Sequence, residues 1–87
     1  MNGKEAFRRK LGEALALIDD PIFTASSWCR TPEHNRRVGG VPNSKHLTCE
    51  AVDVVGDGAS LAQLGRAAQK VGLKVIPYSN HIHIQVR

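Results

Sequence analysis

Two of the chain's four histidines stand almost at its end, His81 and His83 in the stretch HIHIQVR. On an extended strand, His81, His83 and Gln85 share one face, and Ile82, Ile84 and Val86 share the other. A face carrying two imidazoles and an amide must meet water or other polar groups. The stretch SKHLTCEAVDVV supplies candidates to lie opposite it. Asp53 interrupts an apolar run, and a carboxylate buried there must be paired, hydrogen-bonded or bound to a metal. His46 precedes it by seven residues, at the end of a long polar loop. Imidazole nitrogen and carboxylate oxygen are both good zinc donors. Two histidines with one carboxylate leave a fourth position open for water, which separates a catalytic zinc from a structural one. Spacing alone leaves a second reading open, in which Asp53 pairs with Arg30 and His46 bonds within its loop.

The elements that must position these residues follow from periodicity. Phe7, Leu11, Ala14, Leu15 and Ile18 form an apolar stripe at helical spacing, which predicts a helix over 3–18. Asp19-Asp20-Pro21 should end it, since proline disfavours helix at the residue before it. IFTASSW is rich in β-formers and reads as a strand over roughly 22–28. CRTPEHNRRVGGVPNSKH reads as a loop with room for one helical turn after Pro32. A loop this long in so small a domain is more often functional than idle. His34 and the Asn35-Arg36-Arg37 run within it read as a solvated face. EAVDVV predicts a strand, and Gly56-Asp57-Gly58 a turn. Ser60 to Gln63 fits a capping box for a helix carrying Leu61, Leu64, Ala68 and Val71, with Gly72 as the residue just past its end. LKVIPYSNHIHIQV reads as two strands around a turn at 77–80. Helix, strand, long loop, strand, helix, strand, strand is the order of a single α+β domain over 1–87: a small, mostly antiparallel sheet with helices packed on one face.

The bulk numbers agree with that scale. A chain of 87 residues makes one domain, and such a domain buries only roughly 60–65% of the surface its unfolded chain exposes. A bound metal would add usefully to so thin a core. Apolar residues at 41% and charged residues at 23% are ordinary for a globular protein. No apolar run reaches the ~18–20 residues a membrane span needs, and the N-terminus shows no signal-peptide pattern. The charge of +4 and pI near 9.5 favour an anionic partner such as nucleic acid, a membrane surface or bacterial cell wall. Aromatics at 5% and the lack of a basic stripe argue against nucleic acid. Cys29 and Cys49 lack CxxC spacing; the burial habit of free cysteine favours two reduced, partly buried thiols over a disulfide.

SSWCRTPEHNRRVGGVPNSKHLTCEAVDVV, followed later by HIHIQVR, resembles the M15 family of zinc peptidases, in particular the small branch related to the C-terminal domain of zinc D-alanyl-D-alanine carboxypeptidases. The family pattern S-x-H-x-x-G-x-A-x-D stands here from Ser44 through His46 to Asp53, and its H-x-H strand stands as His81-Ile82-His83. WCRTPEHNRRVGG is similar to the family segment Y-R-[ST]-P-x-x-N. The resemblance covers roughly residues 22–87. It implies the fold shared by these peptidases and the hedgehog signalling domain. It also implies that His46, Asp53 and His83 ligate Zn2+. Arg30 would reach the site and steady the substrate or a developing oxyanion, and Ser44 would hydrogen-bond near the metal. His81 would lie beside the metal without ligating it, where it can stabilise the intermediate or move a proton.

Four positions depart from the family pattern. Cys49 stands in place of glycine and Cys29 in place of an aromatic residue. The carboxypeptidase and dipeptidase branches carry an acid three residues before the last zinc histidine, where this chain has Asn80. The closer small branch often carries Asp two residues after it, where this chain has Gln85. Glu33 and Glu50 are the nearby acids that remain. The resemblance thus implies a zinc-dependent peptidase acting on peptidoglycan stem peptides, a D-alanyl-D-alanine carboxypeptidase or a wall endopeptidase; the small size and the missing signal-peptide pattern suit a phage lysis or tail-associated protein. The alternative is a non-catalytic zinc domain that binds the wall or a protein partner. A monomer is expected, made in the cytoplasm and acting at the bacterial wall after release or as part of a phage particle.

Overall fold

The computed structural model describes residues 3–18 and 23–87. Helix α1 (Gly3–Leu15) is followed by strand β1 (Phe23–Ser27), helix α2 (Pro32–Arg37), a 3-10 turn (Lys45–Thr48), strand β2 (Ala51–Gly56), helix α3 (Gly58–Lys70) and strands β3 (Lys74–Pro77) and β4 (Ile82–Gln85). The four strands form one antiparallel sheet in the order β1-β2-β4-β3. The expected α+β architecture is therefore present. No helix among the described residues is long and apolar enough to cross a membrane.

One face of the sheet is the core. Val52 and Val54 of β2 lie across from Ile84 and Ile82 of β4, and all four are buried. Phe7, Leu11 and Ala14 of α1 and Leu64, Ala67 and Ala68 of α3 cover them. The helical stripe holds except at Leu15, which is exposed at the last turn of α1. The stop expected at Asp19-Asp20-Pro21 and the strand start at 22 lie outside the described residues. The other face of the sheet carries Asp53 and His83, with Ile76 across from His83, and the long loop meets it there.

α3 begins earlier than the capping-box reading placed it. Asp57 is the N-cap: its Oδ1 accepts from the Ser60 amide at 3.0 Å, and its Oδ2 accepts from the Ser60 hydroxyl at 2.8 Å. A carboxylate satisfies these amides and is favoured by the positive end of the helix, so Asp57 outcompetes Ser60 as the cap. Those hydrogen bonds hold the Asp57 carboxyl below its ordinary pKa. Gly72, at φ +89, ends α3 as expected, in a conformation glycine adopts freely.

The loop is more structured than one turn. α2 spans six residues, with Thr31 as N-cap, and the 3-10 turn starts at Ser44, whose hydroxyl accepts from the His46 amide at 3.2 Å. Cys29 and Cys49 form a disulfide rather than two free thiols. The pairing replaces the expectation of reduced cysteines for a reason sequence distance hides. Loop folding brings their Cα atoms to 4.5 Å, within bridging range.

Candidate metal centre

The site begins as a matter of sheet register. Asp53 on β2 lies directly across from His83 on β4, and opposite partners in an antiparallel pair project to the same side. With Val52, Val54, Ile82 and Ile84 facing the helices, both polar residues face the loop. A bulge between Ala25 and Ser27 then brings Ser27 opposite Asp53 on the other flank.

The loop delivers the third group. The backbone amide of Arg30 donates to the His46 carbonyl at 2.9 Å, and the Trp28 carbonyl lies 2.6 Å from His46 Nδ1. Together with the Cys29–Cys49 bond, these contacts clamp the turn carrying His46 to the strand exit carrying Arg30. Trp28 is itself anchored edge-on against Phe7, centroids 6.2 Å apart. His46 is 2% exposed. Because a carbonyl only accepts, its Nδ1 carries the proton and its Nε2 is a bare lone pair.

That Nε2 is buried and has no hydrogen-bond partner. It lies 3.4 Å from Asp53 Oδ2. Asp53 Oδ1 lies 2.7 Å from His83 Nδ1, and the two imidazole rings meet edge to face at 5.1 Å. One donor atom from each of His46, Asp53 and His83 falls within 4.8 Å of the others. A buried, unpartnered imidazole nitrogen costs stability unless something fills the gap. A dication bound by two imidazoles and one carboxylate would do so, so these residues fit a zinc ion. Burial holds His46 below its ordinary pKa, which keeps it in the neutral form a metal needs.

Arg30 lies in the wall of this centre. Its Nη2 donates to Asp53 Oδ2 at 3.2 Å, its Nε to Ser27 Oγ at 3.0 Å and its Nη1 to Asn35 Oδ1 at 3.2 Å. The ion pair with Asp53 and the three-residue cluster thus coexist, so the two readings of Asp53 are not exclusive. Asn35 is the residue that sequence reasoning missed. It was grouped with a solvated Asn-Arg-Arg run, yet it is 3% exposed and its amide donates to the Val41 carbonyl at 2.7 Å. Arg36, Arg37 and His34 are exposed as expected. The signal was the Asn of the P-x-x-N segment. Gly40 makes room for it, since a Cβ there would collide with the Asn35 side chain.

A cavity of about 250 Å³ opens on the three-residue cluster, lined also by Arg30, Gly39, Ser44, Tyr78 and His81. Ser44 touches the cavity but spends its hydroxyl on capping the 3-10 turn. His81 stacks on Tyr78, and its Nδ1 is 2.7 Å from Asn80 Oδ1. Gln85 Oε1 is 2.8 Å from His83 Nε2. Neither remaining acid lines the cavity: Glu33 is exposed in the first turn of α2, and Glu50 lies against Gly3 at the start of α1. A larger cleft between α3 and the segment just after α1, about 340 Å³, is lined by Leu17, Arg66 and Lys70 and by no histidine or carboxylate among the described residues.

The sequence profile of Peptidase M15 matches residues 4–85 of the chain. The chain belongs to the Peptidase M15 family. No curated protein and no solved structure matches it significantly. The family match spans both helices of the core as well as the loop and the terminal strand, so it covers the scaffold of this M15 domain and not only its motifs. A peptide is accordingly its class of substrate, and the His46, Asp53 and His83 group is a set that could hold the metal on which M15 peptidases typically depend.

Proposed function

We propose that this single M15 domain is a zinc-dependent peptidase that cleaves peptidoglycan stem peptides, as a D-alanyl-D-alanine carboxypeptidase or a wall endopeptidase. The buried, unpartnered Nε2 of His46, aimed at Asp53 and His83, carries the reading. His46, Asp53 and His83 would hold the ion. Zinc, when bound, polarises a peptide carbonyl and lowers the pKa of water toward ~7. Arg30 uses three of its five N–H donors on Ser27, Asn35 and Asp53. The other two suit a substrate carboxylate or the oxygen on which charge develops. Asn80 holds the Nδ1 proton of His81, so Nε2 of His81 is the basic nitrogen that takes or returns a proton at the scissile bond. Ser44 shapes the rim by fixing the His46 turn.

The site of action follows from substrate class: the bacterial wall, reached after release from the cytoplasm or on a phage particle, with the domain working as a monomer. Incubating the zinc-loaded protein with purified muropeptides tests the reading, with product masses identifying the bond. Muropeptides left intact by protein with stoichiometric zinc would refute it. They would favour the second reading, a zinc domain that binds the wall or a protein partner without turnover. Asn80 and Gln85, standing where related branches carry acids, are the observations behind that alternative.

A further inference from the structure

We infer that Gln85 is a positioning residue for the metal centre: its side-chain amide fixes the tautomer and ring orientation of His83, so that Nδ1 and not Nε2 is presented to the metal. The inference rests on the zinc reading above.

His83 and Gln85 are two apart on β4 and therefore share its polar face. Oε1 of Gln85 sits 2.8 Å from Nε2 of His83, while Nε2 of Gln85 donates to the Val86 carbonyl at 3.4 Å. The second contact sets which end of the amide faces the imidazole. Turning the amide over would place its NH2 against Val86's N–H-accepting carbonyl no longer, and would set two oxygens against each other there. The Gln85 oxygen faces Nε2 of His83 and the Asp53 carboxylate faces Nδ1, so each ring nitrogen has an acceptor for a proton in the metal-free site; a metal in the cluster would displace the proton on Nδ1 and leave Nε2 protonated against Gln85. Nδ1 is the nitrogen 2.7 Å from Asp53 Oδ1, inside the donor cluster.

His46 is arranged in the complementary sense. Its Nδ1 is held by the Trp28 carbonyl and its Nε2 faces the cluster. The two histidines thus offer opposite ring nitrogens, each selected by an oxygen on the far side. One oxygen is backbone and cannot be mutated away; the other is Gln85. Acceptors of this kind orient a ligating imidazole and raise its basicity. Gln85 also lies across from Ala51 and Lys74 in the sheet, which restrains its backbone on both sides. Its amide supplies the acceptor without adding a charge next to Asp53. The residue that departs from the acidic pattern of related branches therefore has a defined task that needs no acid.

The test compares the full chain with Gln85→Leu and Gln85→Glu. Zinc affinity is measured by chelator competition, and long-range 1H–15N correlation spectra of histidine-labelled, zinc-loaded protein report which nitrogen of His83 is metallated. The parent should show Nδ1 metallated and Nε2 protonated. Gln85→Leu should bind zinc about 10–100-fold more weakly, and Gln85→Glu should restore or exceed parental affinity. Parental affinity in a folded Gln85→Leu, or metallation of His83 through Nε2 in the parent, overturns the positioning role and leaves the zinc reading intact. A parent that binds no zinc overturns both. Should Gln85→Leu fail to fold, the parent spectrum and the Gln85→Glu affinity decide.

Discussion

Oδ1 of Asn80 lies 2.7 Å from Nδ1 of His81, and the same imidazole is stacked on Tyr78 with ring centroids 4.6 Å apart. An amide cannot accept a proton at neutral pH, so Asn80 does not replace an acid as a base. It can hold a neighbouring imidazole in one tautomer. His81→Ala should lower muropeptide hydrolysis by about 10²-fold or more while zinc content is unchanged. Asn80→Ala should lower it less, and Asn80→Asp, which keeps the acceptor, should stay near the parent. A rate that appears only in Asn80→Asp would instead mark a decayed enzyme.

Metal removal tests the cluster directly. Elemental analysis should find stoichiometric zinc in the parent, lost in His83→Ala and in Asp53→Ala. Asp53→Ala also strips Arg30 of its carboxylate; the two side chains are 13% and 14% exposed. Metal-free Asp53→Ala should therefore be less stable than metal-free parent by about 2–3 kcal/mol, under the range for fully buried pairs. Denaturant unfolding of the two apo proteins measures it.

The depressed pKa of His46 gives stability a sign with pH. Between the ordinary histidine value of 6.5 and the lower folded value, the unfolded chain binds a proton at His46 that the folded chain does not. The stability of the metal-free protein should fall as pH drops through about 6.5 and keep falling until the folded pKa is passed. Thermal unfolding of apo protein between pH 8 and 5 should show this slope, and His46→Asn should flatten it. Parallel slopes in the two proteins would exclude His46 as the source.

The disulfide closes a loop of 20 residues' separation. Loop-closure entropy assigns such a bridge about 3 kcal/mol, a Tm loss on the order of 10–20 °C in a domain this size. Reduction should produce that loss in apo protein. Because the bridge clamps the His46 turn to the Arg30 segment, reduction should also weaken zinc retention in chelator competition. Zinc retention unaffected by reductant would limit the bridge to a stabilising role.

The helical stripe of Phe7, Leu11 and Ala14 and the alternation around Asp53 and His83 were legible because burial imposes its period on neighbouring residues. The three candidate ligands were legible through Asp53, a charge in an apolar run, and through the spaced family motifs. Contacts that depend on how the 29–50 segment folds were not. Asn35 looks like one more polar loop residue until Arg30 and the Val41 carbonyl close around it. Cys29 and Cys49 show no pairing until the loop brings them together. Asp57 and Ser60 are both good caps in sequence, and only the helix start decides between them.

Cys49 adopts φ +58, a left-handed backbone that costs a side-chain-bearing residue roughly 1–2 kcal/mol and glycine little. Its bond to Cys29 offsets that cost. The two positions therefore form one heritable unit. Exchange of Cys29 alone leaves an odd thiol on a left-handed backbone; exchange of Cys49 alone leaves an odd thiol beside Arg30. A double step, to an aromatic at 29 and glycine at 49, removes the bridge and the left-handed strain together. Mutations at these sites should be strongly epistatic although 20 positions apart.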